Sequence, residues 1–235
     1  MIPISIKDLH FSYEDKKILR GIEFELEKGK ISSVIGLSGC GKSTLCYCIC
    51  GIIPHIIEGD LSGTVKVFGK DVSDARIAEL SEKIGIVFQN PDTQLFSPTV
   101  EDEVAFGPEN LCVPRQEISS RIEESLRIVG MSDFRKRHPH NLSGGEKQLI
   151  AIASVLAIKP KILLFDESLS QIDDEGSERI KEVMLDLKKM GKSILTVEHD
   201  LKNLDISDEV LLLDSGKLKV LDKNKIRKED VFYKH

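Results

Sequence analysis

The sequence has 235 residues (26.3 kDa), 40% of them hydrophobic, and its 33 basic and 39 acidic side chains leave a formal net charge of −6. That aliphatic content is too high for a disordered chain, and the acidic balance speaks against a general nucleic-acid binder, which shows a basic excess. No apolar run approaches the roughly 18 residues of a membrane span, and Met1-Ile2-Pro3-Ile4 lacks the basic-then-apolar order of a secretory leader. A soluble, cytosolic chain is expected.

Ser5 to Tyr13 and Ile22 to Leu26 alternate enough to predict two strands, with the polar Glu14-Asp15-Lys16-Lys17 as the turn between them. Lys30 to Ile35 reads as a short strand feeding a glycine-rich segment, and Ser43 to Cys50 as the helix after it. Cys46, Cys48 and Cys50 fall in that helix, where a two-residue step turns the side chain by about 200°. Cys48 is therefore expected to point away from the other two, so the trio does not converge on a metal, and reduced, mostly buried thiols are the reading. Gly63 to Phe68 and Ile84 to Phe88 read as strands with a short helix, Ala75 to Glu82, between them.

From Thr99 to about Ala157 the pattern turns helical, and Ile118, Ile122, Leu126 and Val129 mark one face of a helix ended by Gly130. The strand period returns at Lys161 to Phe165, followed by a helix from Asp173 to Met190 with acidic residues first and Gly191 beyond its end. Strands Ser193 to Val197, Glu209 to Leu213 and Lys217 to Leu221 follow, with a short helix near Asp200. The fold class is α/β, one domain whose core (1–98 and 159–221) is interrupted by a helical insert (99–158) and followed by a short basic tail (222–235).

Gly36-Leu37-Ser38-Gly39-Cys40-Gly41-Lys42-Ser43 matches G-x-x-x-x-G-K-[ST] between a predicted strand and a predicted helix. Glycines let the backbone wrap so that amide N–H groups face phosphate oxygens, and the helix dipole adds positive potential. Gly36, Ser38, Gly39, Cys40, Gly41 and Thr44 are the candidate cradle, Lys42 should reach the β- and γ-phosphates, and Ser43 should ligate Mg²⁺. Lys161 to Glu167 is an apolar strand ending in two carboxylates. A buried parallel strand tolerates charge only at its C-terminal end, where ligands bind. Asp166 suits the outer shell of the Mg²⁺, and Glu167 suits polarising an attacking water.

Asn141-Leu142-Ser143-Gly144-Gly145-Glu146 resembles the signature of ABC-type ATPases, which more often ends in Gln. The order of the other segments is similar to that family too: the glutamine loop Phe88-Gln89-Asn90-Pro91, then Ser170-Gln171-Ile172-Asp173, then Glu198-His199-Asp200. The resemblance implies a P-loop NTPase core with an antiparallel β subdomain and a helical insert, holding ATP and Mg²⁺. It implies that Tyr13 stacks on adenine, that Gln89 senses Mg²⁺ and the attacking water, and that His199 contacts the γ-phosphate. Lys42, Gln89, Glu167 and His199 are then the catalytic set, and Ser43, Gln89 and Asp166 the metal ligands. It also implies a head-to-tail dimer with a second ATPase subunit, identical or a paralogue. In that dimer Ser143, Gly144, Gly145, Glu146 and Asp173 face the partner's ATP, and one chain alone binds ATP yet hydrolyses it poorly. Glu146, Ser168 and Ile172 depart from the usual residues without removing a phosphate or metal ligand. Cys40 suggests thiol sensitivity, with a neutral small residue as the plainer reading.

Gly36 and Leu142 lie too close in sequence for the long coiled-coil insertion of chromosome-handling members, and translation factors usually carry two such domains. A transporter subunit fits better. Gln89 to Phe96 followed by Thr99 to Pro108 looks like the ATPases of energy-coupling-factor transporters, which import vitamins, cobalt or nickel. That implies a transmembrane coupling subunit with arginine-bearing helices docking near this segment, a substrate-binding membrane subunit, no nucleic-acid partner, and a place on the cytoplasmic face of the membrane. Glu101, Asp102 and Glu103 form an acidic cluster suited to such arginines, or equally a solvated first helical turn. ATPases of that group often continue well beyond the position of His235 into a dimerisation segment. The alternative is a soluble ABC ATPase acting on nucleic acid or as a regulator.

Overall fold

Ile4, Ile6, Leu9 and Phe11 point inward along β1 (Ile4–Tyr13), as do Leu19, Ile22, Phe24 and Leu26 along β2 (Lys16–Leu26), which gives both strands one buried face. In the computed structural model, which describes residues 1–170, 172–223 and 226, the two pair antiparallel. β2 begins at Lys16, not at Ile22 as the alternation predicts. The turn shrinks to Glu14-Asp15, with Glu14 in the left-handed region (φ 47), and Lys16 and Lys17 pair with Tyr13 and Ser12. Solvent-facing lysines and a register shift next to Gly21 hide this half of the strand from a period-two pattern.

The chain then enters β3 (Ile31–Ile35), α1 (Lys42–Cys50) and the short α2 (Ile52–His55), before returning through β4 (Asp60–Val67) and β5 (Lys70–Asp71). These last two complete a four-stranded antiparallel sheet of order β2-β1-β4-β5. After α3 (Ile77–Ser81) come β6 (Ile84–Val87), then α4 (Val100–Asn110), α5 (Arg115–Ile128) and α6 (Gly144–Ala157). The chain continues through β7 (Ile162–Asp166), α7 (Asp174–Lys189), β8 (Ser193–Glu198), β9 (Glu209–Asp214) and β10 (Lys217–Leu221).

The second sheet has the order β10-β9-β3-β8-β7-β6; β9 through β6 are parallel and β10 closes the edge antiparallel. Along β7, Leu163 and Phe165 pack toward the helical insert, whereas Ile162 and Leu164 pack toward α1 and the antiparallel sheet. Two cores thus share one central sheet, which is why β3, β7 and β8 are buried at every position. The sheets are tied by Arg20 N–H donating to the Gly216 carbonyl at 2.8 Å.

Of the predicted stripe on α5, Ile122 and Leu126 are buried, as is Val129 just beyond it; Ile118 packs partly buried, and Gly130 leaves the helix at φ 67. Asp173 caps α7, Asp174 and Glu175 stand in its first turn, and Lys188 and Lys189 in its last, as the helix dipole favours. α1 is buried nearly all round, so Cys48 is as buried as Cys46, as the reading of mostly buried thiols expects. Burial pushes the Cys46 and Cys50 thiols far up and the Cys48 thiol to about 12, which leaves all three neutral. The predicted basic tail, apart from Asp222, Lys223 and Ile226, lies outside the described residues, as does Gln171. Among the described residues no helix is long and apolar enough to cross a membrane.

Candidate functional site

β3, β6, β7 and β8 run parallel, so the segments leaving their C-terminal ends gather along one edge of the sheet. Those segments carry the phosphate loop, Gln89, Glu167 and His199. They border an open cleft of about 390 Å³ lined by Tyr13, Lys16, Ile18, Ser38, Gly39, Gly41, Lys42, Ser43, Thr44, Gln89 and Glu167.

Gly41 is the N-cap of α1 at φ 109, and a Cβ there would stand 2.8 Å from Ile18 Cγ2. Only glycine lets the hairpin approach the loop so closely and leaves the first amides of α1 open to an anion. Lys42, buried at the start of α1, donates from Nζ to the carbonyls of Gly36 (3.0 Å) and Leu37 (3.2 Å) and pairs with Glu167 Oε1 at 3.2 Å. Gly36 and Cys40, both expected to cradle phosphate, do not line the cleft. Instead, a Cβ on Gly36 would strike the Leu213 carbonyl oxygen and stand 2.8 Å from Cys40 Sγ. Burial pushes the Cys40 thiol up against the opposing pull of Lys42, and its side chain packs partly buried on the core, which favours the neutral small-residue reading over an activated thiol.

Ser43 donates from Oγ to Asp166 Oδ1 at 3.0 Å. Burial pushes the Asp166 carboxyl up, the Ser43 hydroxyl opposes this, Glu167 adds to it and Lys42 opposes. A hydroxyl and a carboxylate side by side, next to a phosphate cradle, form a hard-oxygen donor pair that fits Mg²⁺. Among the described residues no cluster of three His, Cys, Asp or Glu side chains could hold a metal. A cation here would therefore take most of its ligands from phosphate and water, as Mg²⁺ does. Gln89 is exposed at the cleft and donates from Nε2 to Ser170 Oγ at 3.1 Å.

Glu167 sits in left-handed backbone (φ 50), an uncommon conformation for a residue with a side chain, held by its N–H to the Val197 carbonyl at 3.0 Å and by two bonds from Ser170 to its own carbonyl. Its Oε2 lies 3.7 Å from His199 Nδ1, so one carboxylate bridges Lys42 and the histidine. Tyr13 stands at the cleft wall with its ring edge-on to Phe11, centroids 4.7 Å apart.

Ser143, Gly144, Gly145, Glu146 and Asp173 do not line the cleft. Ser143 caps α6 in a capping box, its Oγ accepting from Glu146 N–H at 3.3 Å while Ser143 N–H donates to Glu146 Oε2 at 2.8 Å. Gly145 and the start of α7 approach closely: a Cβ on Gly145 would stand 3.5 Å from the Gly176 Cα, and one on Gly176 would stand 2.6 Å from Ile172 Cγ2. The two helix N-termini thus stand side by side.

Several participants lie outside the sequence motifs. Buried Gln148 of α6 donates from Nε2 to the Phe88 carbonyl at 3.0 Å, and Lys147 pairs with Asp92 at 2.7 Å, which ties the signature helix to the glutamine loop. The predicted acidic cluster is dispersed. Glu103 turns inward, 3% exposed, and its Oε2 accepts from Phe96 N–H (2.9 Å) and Ser97 N–H (2.7 Å). Glu101 pairs with Arg135 at 2.5 Å and is held below its ordinary range chiefly by that guanidinium, and Asp102 accepts from Thr99 at 2.6 Å. Beside them lies an apolar groove of about 270 Å³ between the β6 edge and α4 and α6, lined by Ile84, Ile86, Phe88, Phe96, Phe106 and Ile158 among others. Phe96 and Phe106 are exposed and meet edge to face, centroids 4.7 Å apart.

A family model described as ABC transporter matches residues 19–170. A putative ABC transporter ATP-binding protein of Methanosarcina mazei is 45% identical over 93% of this chain, and the chain spans 38% of that relative's length. An energy-coupling factor transporter ATP-binding protein of Mycoplasma pneumoniae is 38% identical over 91% of this chain and 76% of its own length. Among solved structures, cbiO1 from Clostridium perfringens, described as part of the ABC transporter complex cbiONQ, superposes with a TM-score of 0.83 at 33% identity, covering 93% of this chain and 87% of its own.

Proposed function

Because the chain belongs to the ABC transporter family, we propose that it binds and hydrolyses ATP as the motor subunit of a membrane importer of the energy-coupling-factor type. The observation that carries the reading is the gathering of Lys42, Ser43, Gln89, Asp166, Glu167 and His199 at the C-terminal ends of four parallel strands, beside the amides of a glycine-rich loop.

Each group has a defined task. The loop amides and Lys42 bind the phosphates, Lys42 exchanging Glu167 and its carbonyl partners for phosphate oxygens. Ser43 and Asp166, with Gln89, hold Mg²⁺, which when bound neutralises phosphate charge. Glu167, freed from Lys42, takes a proton from the attacking water. His199, beside Glu167, contacts the γ-phosphate and fixes its orientation, and Tyr13 supports the adenine. Catalysis on this plan is positioning plus charge stabilisation.

The signature residues stand away from the chain's own cleft, which supports a head-to-tail dimer in which Ser143 and the amides of α6 meet a partner's ATP. The partner ATPase is a second copy or a paralogue. The apolar groove bounded by Phe96 and Phe106, directly after the glutamine loop, is the docking surface for a helix of the transmembrane coupling subunit, and a separate membrane subunit selects a vitamin, cobalt or nickel. Glu101 and Glu103 already have internal partners, so apolar contact and not an open acidic cluster carries this docking. The chain then works at the cytoplasmic face of the membrane. Affinity purification from detergent-solubilised membranes, followed by identification of the bound proteins, tests the assignment. Co-purification of two membrane subunits is expected; recovery with nucleic acid and no membrane protein contradicts it.

A further inference from the structure

Glu198 ends β8, one residue before His199, and its side chain is 1% exposed. Its Oε2 accepts from Asn203 Nδ2 at 3.0 Å. Asn203 is itself buried, in the 3-10 turn Leu201–Leu204 that follows the histidine. The second oxygen of each group, Glu198 Oε1 and Asn203 Oδ1, is buried with no donor among the described residues. Two buried acceptors left over within one carboxyl–amide pair are costly, because a carboxylate and an amide oxygen can only accept. One proton on Oε1 removes the mismatch: it turns the carboxyl into a donor and allows the pair to share two reciprocal hydrogen bonds.

We propose that Glu198 works as a neutral carboxylic acid paired with Asn203, a positioning residue whose clasp closes the loop that carries His199 and fixes the histidine beside Glu167. The clasp spans residues 198 to 203, so the loop it closes is a single turn that begins with His199 and Asp200. Among the described residues, two charged neighbours favour the neutral form and one opposes it. From β3 the partner residue is Ile35, which is itself packed with Leu204 and Val210. Glu167 after β7 and Asp200 within the loop are negative, and Lys181 of α7 is the opposing cation. Lys181 is already engaged by Glu178, Asp205 and the Lys202 carbonyl. Burial pushes the Glu198 carboxyl up to about 8, against the Asn203 hydrogen bond and with Glu167 and Asp200 adding to the rise. Ionisation above that range leaves a buried carboxylate under the repulsion of Glu167 and Asp200, which opens the clasp and frees the histidine loop.

The proposal rests on the assigned role of His199, so its test has two arms. In the first, the side-chain carboxyls of ¹³C-glutamate-labelled full chain are titrated by NMR, in the wild type and in Glu198→Gln. One carboxyl that stays protonated through pH 7 and vanishes in the variant is expected; a Glu198 carboxyl that titrates in the ordinary range overturns the pairing. In the second arm, ATP turnover is followed against pH. Wild type should lose activity on the alkaline side with a midpoint near the Glu198 ionisation. Glu198→Gln, whose amide reproduces both hydrogen bonds without an ionisable proton, should keep neutral-pH turnover and lose that alkaline limb. Glu198→Ala should be down by roughly tenfold already at neutral pH, the cost of one lost buried interaction. An alkaline limb unchanged in Glu198→Gln overturns the positioning role. Absence of turnover in the wild type at every pH contradicts the ATPase assignment instead, and the NMR arm still decides the pairing.

Discussion

The Lys42 ammonium rests on the Glu167 carboxylate at 3.2 Å, so the group proposed to bind phosphate and the group proposed to activate water neutralise each other. On the proposed mechanism an incoming phosphate displaces Glu167 from Lys42, and the displacement delivers the carboxylate to the cleft together with the substrate. Removing the charge of Glu167 removes the competitor. Glu167→Gln should bind ATP tighter than wild type by roughly 3- to 10-fold, equivalent to about 0.7–1.4 kcal/mol, measured by calorimetry on the isolated chain. Weaker binding would show that Glu167 supports the bound state and does not oppose it.

Ser143 lies at the mouth of α6 and outside the chain's own cleft. A bulky cation there should block the meeting of two subunits but not the binding of ATP to one. Ser143→Arg is expected to leave monomer ATP affinity near wild type and to lower turnover by more than about 10²-fold, the scale of losing a positioned charge-stabilising element. Loss of nucleotide affinity in the monomer would instead make the signature part of the chain's own site.

Phe106 is exposed on the groove wall, where its ring meets that of Phe96. Phe106→Asp places a charge where an apolar helix is expected to dock. The variant should retain ATP binding and basal turnover yet fail to sediment with membranes that contain the coupling subunit. Undiminished membrane recovery would move the docking surface elsewhere.

Glu198 also sets a pH dependence of stability. Its carboxyl holds a proton in the folded state up to about 8, whereas the unfolded chain gives that proton up near 4.5. The folded state binds more protons between these values, so stability falls as pH rises through that window. Glu198→Gln has no such slope and should melt higher than wild type, with a gap that opens above pH 4.5 and levels off beyond pH 8. Each regained kcal/mol is worth roughly 2–4 °C in a domain of this size. Parallel melting curves for the two proteins across roughly pH 5 to 9, a range that brackets the window, would place the proton elsewhere.

How much of the fold and the site is legible in the sequence depends on how local each cause is. The phosphate loop is set by glycines within one turn and needs no distant partner, and the φ of 109 at Gly41 agrees with a wrap that favours glycine. Asp166 and Glu167 are readable because charge on an apolar parallel strand is tolerated only at its end. Lys16 and Lys17 read as a turn because a solvent-facing half-strand next to a bulge shows no period of two. Glu103 reads as surface charge, since its partners, the Phe96 and Ser97 amides, meet it only once α4 packs beneath the loop. The opposite faces of Cys46 and Cys48 are legible from the helical step, whereas the burial of both faces comes from the packing of α1 between two sheets. Glu198 and Gln148 carry no local signal of their packing roles: their partners are brought to them by the return of the chain, not by a recognisable spacing.

The central claim is an ATP-hydrolysing motor whose site closes between two subunits, and Glu167→Gln tests it most directly. Turnover and mass in solution should be measured together, with ATP and with ADP. The account predicts turnover reduced by roughly 10²–10⁴-fold, as for a lost general base, and a dimer that forms with ATP and not with ADP. Wild-type turnover in the variant, or a strictly monomeric ATP-bound protein, would contradict it.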